Sequence, residues 1–247
     1  MSKSKKDLNI NFKGKKGELV IKLNGKVIYP YQEKESKKEI NPNKLRTQLK
    51  TGVAAVFSGG VNKIMPLRYT WNRWPVKSRV AYRNILSANI KRCTAEHPTI
   101  ANMICPLSGH DLLELAVVID KEGIKFESAP LAKMIDNYEN EDMITVAGIL
   151  SVYSPRAKKT ETFSIYPLSM EIKDFVPTEN ICGKFSFSAE MLKNISDYEK
   201  CILYFTIVMG KVTGRNKRWF NSSAMEYLLL NNAEGKFKRG ELAGLHK

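Results

Sequence analysis

Beyond about residue 105 the chain becomes a series of short β-branched and aromatic runs separated by turns, and that period limits the folds open to it. The runs are LLELAVVI (112–119), IKFES (124–128), MITVAGILSVY (143–153), KTETFSIYPL (159–168), KFSFSAEML (184–192), CILYFTIVM (201–209) and KRWFNSSAMEYLLL (217–230). Turn sequences such as DKEG (120–123), SPRAKK (154–159) and VTGRNK (212–217) stand between them. Six or seven such strands in about 130 residues predict an antiparallel sandwich of immunoglobulin-like size. DYEKCILYF resembles a tyrosine corner, although Tyr198 stands three residues before Cys201 where the antibody pattern has two.

Before that point the period is helical. Asn41-Pro42 is a helix start, and Leu45, Leu49, Val53, Ala54 and Phe57 recur at spacings of three and four as one apolar stripe. Ser58-Gly59-Gly60 predicts the end of that helix, and Pro66 restricts the next to short pieces. After Pro75, VKSRVAYRNILSANIKR predicts a helix, with Val76, Val80, Ala81, Ile85, Ala88 and Ile90 leaning to one side. Upstream, ELVIKL and KVIYPY flank Asn24-Gly25, the pairing a tight hairpin turn requires. The expected class is therefore α+β: an N-terminal β-hairpin and a basic helical hairpin, followed by an antiparallel immunoglobulin-like β-sandwich. The expected divisions are a basic arm and hairpin (1–40), a basic helical region (41–104), the sandwich (105–235) and a flexible tail (236–247).

Charge is distributed as unevenly as period. The net +15 of the chain belongs to its first third: residues 1–92 hold 22 Lys+Arg against five acids, a balance of 22 − 5 = +17. Residues 41–92 hold eleven Lys+Arg and no Asp or Glu. Solvated helix faces usually mix signs, because opposite charges one turn apart support a helix and like charges oppose it. A purely cationic stretch points to a polyanion or an acidic protein surface as partner.

The densest part is WNRWPVKSR (71–79). Aromatic rings among cations suit single-stranded nucleic acid, where bases stack and phosphates are neutralised, and they equally suit a corner between two helices. Trp71, at apolar spacing from Ile64 and Leu67, reads as core. Trp74, held extended by Pro75, reads as the joint before the basic helix. The candidate anion- or partner-binding residues are Arg46, Lys50, Arg68, Arg73 and Trp74 on the first side of that joint, and Lys77, Arg79, Arg83, Lys91 and Arg92 beyond it. GRNKRWF (214–220) is a second aromatic and cationic cluster, read as a hairpin loop with a half-buried Trp219.

Catalytic signatures are missing: there is no GxxxxGK[ST], no GxGxxG after a strand, no GxSxG and no HExxH. Cys93, His97, Cys105 and His110 supply four soft or imidazole donors in eighteen residues, but their C-x3-H-x7-C-x4-H order is not a zinc knuckle, and a connection with buried thiols is the expectation. Glu139, Glu141 and Asp142 read as a solvated loop. No cofactor, no metal and no enzymatic activity are expected. Four cysteines in 247 residues make no disulfide scaffold, no apolar window of about eighteen residues spans a membrane, and MSKSKKDLNINFKGKKGE is no secretory signal. The expectation from these features is a cytoplasmic chain, or part of something assembled in a cytoplasm.

The glycine-punctuated hairpin FKGKKGELVIKLNGKVIYPY, the Asn-Pro helix start with a Gln one turn in (INPNKLRTQLK), the second basic helix with its Ser/Ala/Asn-rich end and the β-sandwich together resemble an uncharacterised family of about this length. That family is widespread in Bacteroidota and known as a domain of unknown function, with similar proteins in phage structural gene clusters. The resemblance covers most of residues 10–230 and implies a non-enzymatic structural role in a virion or other large assembly, with other subunits as partners. The alternative that the charge leaves open is a nucleic-acid-binding protein that holds phosphates through residues 41–92 without reading sequence.

Overall fold

The computed structural model of the chain describes residues 20–21, 27–28, 41–73, 80–106, 114–120, 123–134, 142–154, 163–173, 175–191, 198–213, 216–222, 226–231 and 237–239. It divides into two units, Met1–Asn41 and Pro42–Lys247. In the first, β1 (Val20–Ile21) pairs antiparallel with β2 (Val27–Ile28), Val20 opposite Ile28 and Ile21 opposite Val27, one residue off the register of a two-residue Asn24-Gly25 turn, which would set Ile21 opposite Ile28. That turn, the 1–17 arm and the polar run 32–39 lie outside the described residues.

The second unit opens with α1 (Pro42–Lys63), α2 (Met65–Arg73) and α3 (Ala81–Asn89). α1 starts at the expected proline, whose missing N–H is one of the donors a first turn leaves unpaired anyway. It does not stop at Ser58-Gly59-Gly60 but runs on to Lys63. Gly60 is a packing glycine: a Cβ there would lie 2.7 Å from Cγ2 of Ile165, so its bare backbone lets the helix lie close to the sheet. The helix breaks at Ile64 because Pro66 has no N–H to give the carbonyl of Asn62. Its buried face is Val53, Ala54, Phe57 and Val61, whereas Leu45 and Leu49, expected in the same stripe, are exposed. The first turns carry no buried residue; the helix meets its unit only from its middle onward.

α3 begins at Ala81, with the expected stripe residue Val80 as an exposed, extended N-cap. Its first N–H is capped from a distance, Ala81 N–H donating to Oδ1 of Asn72 at 2.8 Å. Asn84 Nδ2 donates to the carbonyl of Trp71 at 3.1 Å and ties α3 to α2 a second time.

The sheets follow: β3 (Ala116–Asp120), β4 (Gly123–Ser128), the one-turn α4 (Leu131–Met134), β5 (Met143–Tyr153), β6 (Phe163–Lys173), β7 (Ile181–Ser186), β8 (Lys200–Thr213), β9 (Asn216–Ser222), β10 (Glu226–Asn231) and β11 (Phe237–Arg239). A large sheet runs β11-β10-β8-β5-β6, with β9 also on β8, and a small one runs β3-β4-β7. Every pairing in both is antiparallel. At the β3–β4 turn Gly123 has φ 158°, and a Cβ there would sit 1.9 Å from the carbonyl oxygen of Phe185, so the closeness of β7 excludes any side chain.

β5 is buried at all eleven positions, which a sheet with one wet face does not allow. Alternate residues enter two different cores. Met143, Ala147, Ile149 and Tyr153 of β5, with Ile202, Tyr204 and Val208 of β8, meet Phe57, Val61, Leu67, Trp71 and Ile85 of the helices. Ile144, Val146, Leu150 and Val152, with Leu203, Phe205 and Ile207, meet Ile124, Phe126, Ile181 and Phe185 of the small sheet. The protein is thus α+β, with two antiparallel sheets face to face and a helical layer on the other side of the larger one. The helices belong to the same compact unit as the sheets. Among the described residues no helix is long and apolar enough to cross a membrane.

Candidate partner-binding surface

The cations that the sequence singles out fall on the helical layer, but not all are free to meet a partner. Arg46, Arg68, Arg73, Arg83 and Lys91 are exposed, and Lys50 and Arg92 are partly buried. Trp74, Lys77 and Arg79 lie outside the described residues. Arg73 is engaged: its Nη1 donates to the carbonyl of Trp219 at 3.3 Å, and its guanidinium stands 6.0 Å from the centre of the Tyr69 ring. Arg92 is engaged too, donating from Nη1 to the carbonyl of Ala88, where a cation satisfies a last-turn acceptor of α3. Lys50 lies close enough to Cys93 for its charge to favour the thiolate. That leaves Arg46, Arg68 and Arg83, one on each of α1–α3, and Lys91 in the turn after α3, all exposed and with no ion pair among the described residues.

The tryptophans build the layer. Trp71 is 1% exposed, packed with Leu67 and Ile64, and its Nε1–H donates to the carbonyl of Ile104 at 2.8 Å. Trp219 is more deeply buried than the expected half-buried position, because Tyr69 of α2 covers it at 5.8 Å between ring centres while its Nε1 reaches Oγ1 of Thr145 at 3.4 Å. Neither ring offers a face to a base. In the second cluster, Lys217 is paired with Glu171 at 2.6 Å, and residues 214–215 lie outside the described residues.

The cysteine and histidine segment 93–105 is a polar weld between α3 and the large sheet. Asn89 uses its whole side-chain amide: Nδ2 donates to the carbonyls of Ile85 (2.9 Å) and Met103 (3.0 Å), and Oδ1 accepts from Met103 N–H (2.8 Å) and Asn102 Nδ2 (2.9 Å). Asn102 also donates to Sγ of Cys93 at 3.1 Å and accepts from Thr99 N–H at 2.7 Å. The carbonyl of Thr99 accepts from the Tyr204 hydroxyl at 2.6 Å, which pins the segment to β8. His97 stacks on Tyr153 with ring centres 4.1 Å apart. Its Nδ1 lies 2.6 Å from the carbonyl oxygen of Pro98, which can only accept, so that nitrogen carries the proton. Cys105 packs in the core between helices and large sheet, and His110 lies outside the described residues. Among the described residues no three His, Cys, Asp or Glu side chains stand together as a metal-binding group. Burial pushes the Cys93 thiol up, against the smaller opposing pulls of Asn102 and Lys50, which suits a packed thiol rather than a thiolate ligand.

The same burial makes the fold sensitive to alkali. Burial pushes the Cys201 thiol up to about 12, and it raises Tyr204 well above the usual phenol range, with Cys93 and Tyr153 adding like-charge repulsion when ionised. All are acids held neutral by the folded state. Their contribution is complete below the unfolded-chain values, and it is lost as pH rises from those values towards the folded ones, because the unfolded chain ionises first. For Cys201, with an ordinary value of 9.0, the expected loss at pH 10 is about 1.4 kcal/mol, read from urea midpoints at pH 8 and pH 10. Cys201→Ala removes that share of the slope; an unchanged slope in the variant would refute the assignment.

What the sequence does not announce on this layer is apolar rather than charged. Leu45, Leu49, Val56 and Met65 expose 42%, 49%, 53% and 56% of their surface. Spacing alone assigns Leu45 and Leu49 to the core; the signal that separates them from it is the run 45, 49, 52, 56, a second stripe on another side of α1. No family model, curated protein or solved structure matches the chain, so this surface is read from its own chemistry.

Proposed function

We propose that this chain is a non-enzymatic structural or assembly protein, a component of a virion or other large complex, that docks on an acidic surface of a neighbouring subunit through its basic N-terminal third. The observation that carries this reading is the exposed cations of the helical region: Arg46, Arg68, Arg83 and Lys91 stand there without ion pairs among the described residues, in a segment of 52 residues, 41–92, that contains no acid. A surface of one sign repels itself, and it steers an oppositely charged partner toward itself. The resemblance to the Bacteroidota and phage structural proteins belongs to the same proposal. So does the immunoglobulin-like sandwich, supported by two antiparallel sheets facing each other across an apolar layer. Nucleic acid held by residues 41–92 is the alternative; the burial of Trp71 and Trp219 removes two of its candidate stacking platforms and leaves phosphate contacts to supply the affinity.

Binding of poly-L-glutamate and of a short random-sequence duplex, measured by fluorescence anisotropy at about 150 mM salt, separates the two. We expect the carboxylate polymer to bind. The variant carrying Arg46→Gln, Arg68→Gln, Arg83→Gln and Lys91→Gln should lose at least about tenfold in affinity, or 1.4 kcal/mol. A duplex bound more than about tenfold tighter than poly-glutamate, with a log–log salt slope steeper than about −3, would move the function to nucleic acid.

A further inference from the structure

The exposed side of α1 is apolar at a regular interval. Leu45, Leu49, Gly52 and Val56 recur at spacings of four, three and four, roughly 130° around the helix from the buried face of Val53, Ala54, Phe57 and Val61. Three of the four are large hydrophobic side chains between 42% and 53% exposed. The fourth is a glycine in mid-helix, disfavoured relative to alanine, and a Cβ at Gly52 would meet nothing within 4 Å. The next position of the series, Gly59, is as open. Among the described residues nothing packs against either glycine as Ile165 does against Gly60, so both leave bare backbone open to close approach. An apolar seam of period 3.5, opened by small residues that admit close approach, is the pattern of a helix that receives another helix.

The charges around the seam choose the occupant. Lys44 and Arg46 flank it, Lys63 continues it, and α1 has no acid. A second copy of α1 would bring like charges together, and the preceding segment 1–40, with 11 Lys and five acids, carries the same sign. We propose that the seam Leu45, Leu49, Gly52, Val56 is the docking groove for an amphipathic helix of a protein partner, whose apolar stripe is bordered by Asp and Glu. This rests on the assembly reading above and names the partner's form: the cations steer and orient the acidic helix, and the leucines and valine hold it.

The test uses the full chain and two synthetic helical peptides of about 21 residues with the same leucine stripe, one bordered by glutamate and one by lysine. The glutamate peptide is expected to bind at about 150 mM salt and the lysine peptide at least about tenfold more weakly. Leu45→Gln, Leu49→Gln and Val56→Gln together leave every charge in place, sit on exposed positions that the fold does not need, and should cut binding of the glutamate peptide at least about tenfold while leaving poly-glutamate binding unchanged. Gly52→Leu, which the helix accommodates, should weaken the peptide by blocking its close approach. Equal binding of the two peptides, failure of the glutamate peptide to bind, or binding that the three glutamine substitutions do not alter would overturn the proposal. A self-associated form, seen by light scattering and dispersed by those substitutions, would overturn it in favour of a second copy. Loss of poly-glutamate binding by the arginine and lysine variant tests the assembly reading by itself, so its failure is distinguishable from failure of the groove.

Discussion

Trp71→Ala is expected to destabilise the protein by about 4 kcal/mol in urea denaturation followed by far-UV circular dichroism. The indole is 1% exposed and wedged with Leu67 and Ile64 against the large sheet, so truncation leaves a cavity in a core that β5 and β8 hold in a fixed register. It also removes the donor to Ile104 at 2.8 Å. Trp71→Phe keeps most of the volume and loses the hydrogen bond, with an expected cost of about 1–2 kcal/mol. An exposed ring waiting for a base would behave in the opposite way, with a stability change under about 0.5 kcal/mol and a large loss of nucleic-acid affinity. The pair of measurements therefore tests whether the aromatic and cationic run 71–79 is architecture or platform.

Asn89→Ala carries the second largest expected effect, about 3 kcal/mol or more. Its amide makes four hydrogen bonds, to Ile85, Met103 twice and Asn102, all in a dry interior. Alanine leaves the Met103 N–H and one Asn102 donor facing apolar neighbours, and each unsatisfied buried group costs roughly 1–3 kcal/mol. Asn89→Asp separates polarity from geometry: the carboxylate has the right shape but no donors, and it would face the carbonyls of Ile85 and Met103. It should be as damaging as alanine at pH 7 and recover part of the loss as pH falls towards about 4, because burial against carbonyls raises the folded carboxyl above its unfolded value and a protonated oxygen can donate. Equal stability of wild type and Asn89→Ala would mean that the 93–105 weld does not hold the layers together.

Where side-chain period alone decides an element, the sequence was enough. MITVAGILSVY has no polar alternation, and it forms β5 over the same eleven residues because a strand buried on both faces needs apolar groups on both. Trp71, Leu67 and Ile64 share a face and share a core. Where a residue answers to something distant, the sequence was mute. Gly59-Gly60 looks like a helix stop until Ile165, more than a hundred positions later, is seen to occupy the space a Cβ would need. Leu45 and Leu49 obey helical spacing as well as Phe57 does, and the second stripe they form with Gly52 and Val56 shows its meaning only once their exposure is seen. Asn89 and Asn102 do not stand out in a Ser/Ala/Asn-rich stretch, since an amide's worth depends on partners that only the fold assembles. The cations were legible as an excess, but that Arg73 is held by Trp219 and Arg92 by Ala88 was not.

The contact between Arg73 and Trp219 spans 146 positions, and it bears on how the protein is made. A ribosome releases α1–α3 long before β5, β8 and β9, the strands whose side chains complete their core. At roughly 5–20 residues per second, the helices wait several seconds or more with Phe57, Leu67, Trp71 and Ile85 uncovered. Slow, non-local closure of the sheet then sets the pace of folding, and the helical layer is the part that must be kept from aggregating until it occurs.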